Sequence, residues 1–180
     1  MARAKNAASA RQRAQGLRVA AFDVDGVLTD GRLYYTDSGE EIKAFHVLDG
    51  HGLKMLAESG VAVAIITSRK SKLVQRRARD LGIDLLYQGV GAKREAMTHL
   101  LKRLALDWRA ASYMGDDVID LPVMTRCGLA VSVPNGHALV RRHAHYVTRA
   151  AGGHGAVREY CEYVMAAQGT LRAALAGYLR

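Results

Sequence analysis

Two aspartates, Asp23 and Asp25, directly follow the short apolar run at 19–22. Alternate residues of an extended chain point to the same side, so we expect both carboxylates at the end of one strand. Two carboxylates this close repel each other unless a cation neutralises them, and Mg²⁺ is an oxygen-preferring cation that does so. The pair alone is also typical of a turn or a helix cap, so its meaning depends on what lies beside it.

Polar residues follow or precede three further predicted elements. Thr67-Ser68-Arg69 follows an apolar run and offers hydroxyls and amides of the kind that hold phosphate. Lys93 begins a predicted helix, where the helix dipole disfavours a cation, and this favours an anionic partner. Asp116 follows another apolar run and is expected to complete the metal site, with Asp120 one turn later as a helper. Each segment alone is typical of a loop or a cap, but together they predict one site for a metal and a phosphate.

The elements that must position these residues alternate between short apolar runs and amphipathic segments. This alternation predicts an α/β domain with a doubly wound parallel sheet. The carboxyl ends of parallel strands lie at one edge of the sheet, where ligands bind, so all four polar segments are expected there. The predicted strands are 19–24, 61–66, 84–87, 111–114 and 129–133, and the predicted helices are 52–59, 71–81, 92–105 and 156–167.

Three segments lie outside this alternation. Residues 32–45 predict a β-hairpin around a turn that contains glycine. Residues 1–16 carry no acidic residue and are predicted to be a flexible basic leader. The rest, 17–180, is predicted to be a single domain whose tail, 149–180, begins in a glycine-rich loop.

The composition excludes several classes of protein. Hydrophobic residues make up 49% and charged residues 24% of the 180, as in a globular protein rather than a disordered one. No apolar run approaches the roughly 18 residues that would predict a membrane span. Cys127 and Cys161 lie far apart, which favours a reduced cytoplasmic chain and argues against structural zinc. The net charge of +9 favours anionic partners. The basic leader lacks aromatic residues that would stack on bases, so nucleic acid is not expected.

The motifs resemble those of the haloacid dehalogenase superfamily of phosphotransferases over residues 18–147. The resemblance implies that Asp23 attacks the phosphoryl group and forms an aspartyl-phosphate, while Asp25 acts first as a general acid and then as a general base. It also implies that Mg²⁺ is held by Asp23, Asp25 and Asp116, with Asp120 behind them. Phosphate oxygens would be bound by Thr67, Ser68 and Lys93. The matching residues are Asp23-Val24-Asp25-Gly26-Val27, Thr67, Lys93 and Gly115-Asp116-Asp117.

Finer motifs resemble one family within it, the 3-deoxy-D-manno-octulosonate 8-phosphate phosphatases of lipopolysaccharide biosynthesis. They include Ile42-Lys43-Ala44-Phe45, Asp49-Gly50 and Leu86-Tyr87-Gln88-Gly89. The intervals 25–67 and 67–93 leave no room for a helical cap domain. The resemblance implies a homotetramer joined through the hairpins, with Gly153 and His154 in a tail that acts as a lid. The substrate would be a sugar-acid phosphate, and its expected contacts are Asp49, Gly50, Lys54, Arg69 and Arg77.

Three positions depart from the pattern of that family. Ser68 stands where glycine is usual, Leu48 where a basic residue is common, and His154 where arginine is usual. The last two leave a nonulosonate 9-phosphate as an alternative substrate. A catalytically idle assembly or binding module is the alternative from another class. It is less favoured, because every catalytic residue of the superfamily pattern is present.

Overall fold

A six-stranded sheet lies at the centre of the computed structural model, which describes residues 8–179. All of its strand pairs are parallel. The strands are β1 (Val19–Phe22), β4 (Ala62–Thr67), β5 (Leu85–Gln88), β6 (Ala111–Met114), β7 (Leu129–Ser132) and β8 (Tyr146–Val147). Their order is β5-β4-β1-β6-β7-β8, which confirms the predicted doubly wound α/β fold. Because the order runs outward from β1 in both directions, the end of β1 lies at the middle of the sheet edge.

Helices cover both faces of the sheet. Side chains of β1 alternate between two cores, with Phe22 in one and Ala21 in the other. The first core is covered by α1 (Ala10–Gln15), α2 (Val47–Glu58), α3 (Lys72–Leu81) and α7 (Ala156–Gln168). The second is covered by α4 (Lys93–Leu104), α5 (Leu121–Met124) and α6 (Ala138–His143), while α8 (Leu171–Ala176) follows α7. Within residues 8–179, no helix is both long and apolar enough to cross a membrane.

Helix α2 begins at Val47, five residues before its predicted start, and the reason lies in its glycines. A Cβ on Gly52 would fall 3.0 Å from the backbone of Arg158, and one on Gly50 would fall 2.1 Å from the guanidinium of Arg77. The two glycines therefore allow α7 and Arg77 to pack closely against the helix. Glycine has a low intrinsic helix propensity, which predicts a later start. The tertiary packing of these two glycines outweighs that propensity.

The expected flexible leader is wrong for residues 9–16; residues 1–7 lie outside the described part of the chain. Ser9 caps α1 through its side chain, and Ala14 is fully buried against the first core. The side-chain amide of Gln168 donates to the carbonyls of Ala14 and Leu17 at 3.0 and 2.9 Å. This helix has only two apolar residues on its inner side, Ala10 and Ala14, with Leu17 following its end, and so short a pattern gives little signal in the sequence.

The predicted hairpin is confirmed, although its paired part is shorter than 32–45. Strand β2 (Tyr34–Tyr35) pairs antiparallel with β3 (Glu41–Ile42), apart from the main sheet. Its apolar side chains are exposed on both faces: Leu33, Tyr35 and Ile42 are each more than half exposed, and Ile42, which is paired with Tyr34, lies on the face opposite to that of Tyr35. An isolated hairpin of this size is marginally stable in water unless something covers it.

Candidate active site

The four polar segments meet in one cleft at the carboxyl edge of the sheet, in the place that parallel strands predict. Asp23 and Asp25 follow β1, Thr67 ends β4, Lys93 begins α4 and Asp116 follows β6. The cleft has a volume of about 240 Å³. It is lined by Asp23, Asp25, Gly31, Thr67, Ser68, Arg69, Lys93, Asp116, Asp117 and Ile119.

Asp23 is a buried carboxylate held from two sides. Its Oδ1 accepts a hydrogen bond from the amide of Val24 at 2.7 Å, and its Oδ2 lies 2.7 Å from Lys93 Nζ. Burial and the negative charge of Asp120 raise the pKa of Asp23 to about 6, and Lys93 opposes the rise. The two contacts fix the carboxylate in place within the cleft.

Lys93 lies between two carboxylates. Its Nζ is 2.7 Å from Asp23 Oδ2 and 2.7 Å from Asp120 Oδ1, and its side chain is 2% exposed. Burial alone would lower the pKa of Lys93, but the two carboxylates outweigh it and raise that pKa. The two carboxylates therefore account for a cation at the start of a helix. Lys93 also lines the cleft, where a phosphate is expected to bind.

Asp120 is fully buried and organises the residues around it. Its Oδ2 accepts from the amides of Asp116 and Asp117 at 3.0 and 3.1 Å, while its Oδ1 accepts from Lys93 and from the Tyr113 hydroxyl at 3.0 Å. All of these contacts hold protein groups in place, which agrees with the expected helper role. The contact of Tyr113 with Asp120 is not predictable from the sequence, because a tyrosine inside an apolar strand is typical of a core residue.

Asp116 has a carboxylate oxygen that bears directly on whether a metal ion fits the site. Its Oδ1 is buried and has no hydrogen-bond partner among the described residues. Burial raises the pKa of Asp116 to about 7, with the charge of Asp23 adding to the effect. Asp23, Asp116 and Asp120 each offer an oxygen within 4.8 Å of the others. An orphaned carboxylate oxygen in an all-oxygen cluster fits a hard divalent cation such as Mg²⁺.

Gly26 allows the loop after β1 to approach this carboxylate. Its φ is +89°, and a Cβ there would fall 2.1 Å from Asp116 Oδ2. Any other residue would both strain the backbone and displace Asp116. Glycine at this position therefore lets Asp116 keep its place in the cluster.

Asp25 lies at the cleft wall beside the hairpin and forms an ion pair with Lys43. Its other oxygen, Oδ2, lies 4.0 Å from the guanidinium of Arg69, which is 39% exposed at the rim. Ser68 is also exposed at the rim. Lys43 belongs to the motif Ile42-Lys43-Ala44-Phe45, and its contact with Asp25 is not among the contacts that the sequence predicts. Its signal in the sequence is weak, because the hairpin pattern does not show which face turns inward.

Four of the expected substrate contacts lie outside the cleft of this chain. Asp49 is 1% exposed and accepts from the amides of Gly155 and Arg158 at 3.3 and 2.8 Å, so it caps α7 instead of facing a ligand. Gly50 packs against Arg77, whose guanidinium lies 5.7 Å from the centre of the Phe45 ring. Lys54 is exposed on α2. Of the five expected contacts, the chain brings only Arg69 to its own cleft.

The tail residues expected in a lid pack against the loop after β1 of their own chain. The Gly153 amide donates to Val27 O at 2.9 Å, and a Cβ on Gly152 would fall 1.8 Å from Gly26 O. His154 is exposed and lines a separate groove with Asp30. Within one chain, this segment supports the loop and does not cover the cleft.

Comparison with known proteins gives one consistent result. Residues 83–159 match the model of the haloacid dehalogenase-like hydrolases. The chain is 48% identical over 162 residues to 3-deoxy-D-manno-octulosonate 8-phosphate phosphatase KdsC of Escherichia coli strain K12, covering 90% of this chain and 86% of that protein. A crystal structure of a probable phosphatase from Pseudomonas syringae pv. phaseolica matches with 51% identity and a TM-score of 0.93, over 95% of this chain and 97% of that one.

A second solved structure shows what a similar protein binds. It is 3-deoxy-D-manno-octulosonate 8-phosphate phosphatase from Moraxella catarrhalis, in complex with magnesium ion, phosphate ion and KDO. It is 43% identical, with a TM-score of 0.92, and the match covers 94% of this chain and 97% of that one.

Proposed function

Because this chain belongs to the haloacid dehalogenase-like hydrolases, and within them to the 3-deoxy-D-manno-octulosonate 8-phosphate phosphatases, we propose that it hydrolyses that sugar-acid phosphate in lipopolysaccharide biosynthesis. The 48% identity to the Escherichia coli enzyme over 90% of the chain carries the proposal. The Escherichia coli and Moraxella catarrhalis proteins are both named for the eight-carbon acid, so the nine-carbon alternative is not favoured.

In this proposal, Asp23 is the nucleophile. Its carboxylate attacks phosphorus, the bond from phosphorus to the sugar oxygen breaks, and an aspartyl-phosphate forms. Lys93, held by Asp120, contributes a fixed positive charge beside the incoming phosphate. Thr67 and Ser68 supply hydroxyls at the same end of the cleft.

Asp25 carries the protons. It donates one to the sugar oxygen as the bond breaks, which avoids release of an alkoxide. It then takes a proton from the water that attacks the aspartyl-phosphate, and phosphate leaves with Asp23 free again. The position of Asp25, on the cleft wall two residues from the nucleophile, supports this assignment.

Mg²⁺ would be held by Asp23, Asp116 and the backbone of Asp25, with Asp120 supporting them. When bound, it neutralises the carboxylates and the phosphate and polarises the phosphoryl oxygens. The partnerless Oδ1 of Asp116 supports this ligand set.

The sugar acid also carries a carboxylate, and Arg69 is the cation of this chain placed to meet it. Its side chain is 39% exposed at the cleft rim, and its Nη2 lies 2.6 Å from Glu41 Oε1. One arginine beside an acidic neighbour is a sparse site for a sugar acid. Further contacts, with Lys54 or Arg77, would have to come from another copy of the chain.

We propose that these copies form a cytoplasmic homotetramer through the hairpins, with the tail segment at Gly153 and His154 acting on a neighbouring site. The exposed apolar side chains of the hairpin, Leu33, Tyr35 and Ile42, support association. Both cysteines are buried and free, which agrees with a reducing compartment. Light scattering coupled to size-exclusion chromatography tests the tetramer, and a monomer at micromolar concentration would contradict it.

The function is tested by phosphate release from the purified protein on 3-deoxy-D-manno-octulosonate 8-phosphate and a panel of sugar phosphates, each with Mg²⁺ and with EDTA. We expect Mg²⁺-dependent turnover with a clear preference for the eight-carbon acid. A preference for a nine-carbon acid phosphate would keep the chemistry and change the substrate. A folded protein with no activity on any substrate would overturn the proposal.

A further inference from the structure

We propose that Lys43 is a positioning residue for Asp25, supplied by the hairpin. The inference rests on the proposed function, because Asp25 is there the group that moves protons. Lys43 forms an ion pair with Asp25 Oδ1, although the two residues are 18 positions apart in the chain. The hairpin would then be part of the catalytic apparatus as well as an assembly element.

The backbone of the hairpin turns Lys43 inward. Successive residues of an extended segment face opposite sides, and here Ile42 is 51% exposed while the side chain of Lys43 is 2% exposed. Glu41 faces the same side as Lys43 and is 20% exposed. One short segment thus presents charged groups to the cleft and an apolar side chain to the outside. A lysine buried to this extent needs carboxylate partners, and it has two.

Lys43 gives the two carboxylate oxygens of Asp25 different roles. Its ammonium group donates to Oδ1, so Oδ2 is the oxygen left to exchange protons in the cleft. A carboxyl that is protonated on Oδ2 still accepts this hydrogen bond through Oδ1, so the contact is compatible with both proton-transfer steps. Without Lys43 the carboxyl would keep only the longer contact between Oδ2 and Arg69, and proton transfer depends strongly on the alignment of the donor.

Glu41 connects Lys43 to the loop that follows β4 in the main sheet. Its Oε1 lies 3.3 Å from Lys43 Nζ and 2.6 Å from Arg69 Nη2, and its Oε2 accepts from the Ser71 hydroxyl at 3.0 Å. Arg69 and Ser71 lie in the loop after β4. The hairpin is therefore fastened to the cleft by ionic and hydrogen-bonded contacts, which keep Lys43 aimed at Asp25.

The test uses the dependence on the leaving group. A sugar alkoxide leaves poorly and needs protonation, whereas p-nitrophenolate leaves without it. We expect Lys43→Met to lower kcat/KM for 3-deoxy-D-manno-octulosonate 8-phosphate by about 100-fold, with little change for p-nitrophenyl phosphate. We use kcat/KM because it reports the steps up to release of the first product, before water attacks Asp23-phosphate.

Three further variants keep the test decisive. Lys43→Arg, which retains a charged donor, should recover part of the loss on the sugar phosphate. Lys102→Met, an exposed lysine of α4, should behave as the wild type on both substrates. In an Asp25→Asn background, Lys43→Met should add almost nothing to the loss, since both act through one carboxyl.

The outcomes separate this proposal from the function on which it rests. Equal losses on both substrates would mean that Lys43 only holds the fold together, and would overturn the proposal while leaving the phosphatase intact. Additive losses with Asp25→Asn would overturn it as well. A wild-type protein that releases no phosphate from either substrate would remove the function and the inference together.

Discussion

Gly26 and Asp116 come so close that the α-hydrogen of the glycine takes the place where any side chain would meet the carboxylate. A Cβ at Gly26 would fall 2.1 Å from Asp116 Oδ2, and the backbone there has a φ of +89°. This contact lies where the loop after β1 meets the loop after β6, beyond the paired ends of the two strands. It leaves room for the proposed metal ligand Asp116 beside the loop that follows Asp23.

The first prediction tests the close contact between Gly26 and Asp116. Gly26→Ala should abolish measurable phosphatase activity, because the new methyl group displaces Asp116, and backbone strain should cost about 1–3 kcal/mol of stability. Gly39→Ala is the matched control: its φ is +81°, and a Cβ there meets nothing within 4 Å. We expect a similar loss of stability from Gly39→Ala with full activity, measured by thermal unfolding and phosphate release. Activity in Gly26→Ala near that of the control would refute the account.

The second prediction concerns the nucleophile. Asp23→Asn should lower kcat by about 10⁴-fold or more, since a neutral amide does not form the aspartyl-phosphate. Asp37→Asn, an exposed aspartate of the hairpin turn, serves as the control and should be fully active. Acid-quenched wild-type enzyme should carry phosphate on Asp23 by mass spectrometry. Substantial turnover by the Asn variant would exclude covalent catalysis at this residue.

The third prediction follows from the raised carboxyl pKa values. Asp23 and Asp116 titrate in the native protein at pKa values of about 6 and about 7, against 3.8 for an ordinary aspartate. The native state therefore binds more protons than the unfolded state in this interval, and the free energy of unfolding falls as pH rises from about 4 to about 7. In EDTA, we expect a lower melting temperature at pH 8 than at pH 5, and Mg²⁺ should stabilise more strongly at pH 8. Asp116→Asn should flatten the trend.

A result against the third prediction is easy to recognise. If the protein in EDTA melts at the same temperature at both pH values, the two carboxyls are not destabilised in the native state. If Mg²⁺ stabilises Asp116→Asn as strongly as the wild type, Asp116 is not a ligand.

The fourth prediction concerns Tyr113, whose hydroxyl lies 3.0 Å from Asp120 Oδ1 and 3.2 Å from Ile66 O. Tyr113→Phe should raise the Mg²⁺ concentration for half-maximal activity by about tenfold, because Asp120 loses a donor and its hold on Asp116 loosens. Tyr160→Phe is the control, since Tyr160 is equally buried but bonds to Ser112 instead of a site residue. That variant should lose stability without a change in Mg²⁺ dependence. The same Mg²⁺ response in both variants would show that Tyr113 is only a core residue.

The fifth prediction separates a structural role from a substrate contact at Asp49. Asp49→Ala removes the acceptor for the amides of Gly155 and Arg158, and should lower stability by about 1–2 kcal/mol, as the loss of a helix cap does. We expect KM for the sugar phosphate to stay near the wild-type value, in urea-unfolding and steady-state measurements. A large rise in KM with unchanged stability would restore Asp49 as a substrate contact.

The residues of the cleft were predictable because the carboxyl ends of parallel strands all lie at one edge of the sheet. Once β1, β4 and β6 are recognised as buried strands, Asp23, Thr67 and Asp116 must meet at one edge. No knowledge of side-chain packing is needed for that step. The hairpin was predictable for a similar reason, since its turn residues and alternation are local.

The features that were missed depend on contacts between distant parts of the chain. Asp49-Gly50 is a polar pair in a predicted loop, and only the docking of α7 shows that Asp49 is a cap. Lys43 and Tyr113 acquire their roles from partners at Asp25 and Asp120, and no periodicity encodes those pairings. The helix at 10–15 is too short for its apolar stripe to exceed what a basic segment shows by chance.

The packing of the tail against the loop after β1 has a consequence for how the protein is made. Gly152 lies against the backbone of Gly26, and the Gly153 amide is bonded to Val27 O, across about 126 positions of sequence. Helix α7, which follows, also covers α2. All six strands of the sheet precede this segment in the chain, so the loop after β1 gains its backing only after the strands have been made. We expect this loop to be fixed late in folding, when residues 152–153 pack against it.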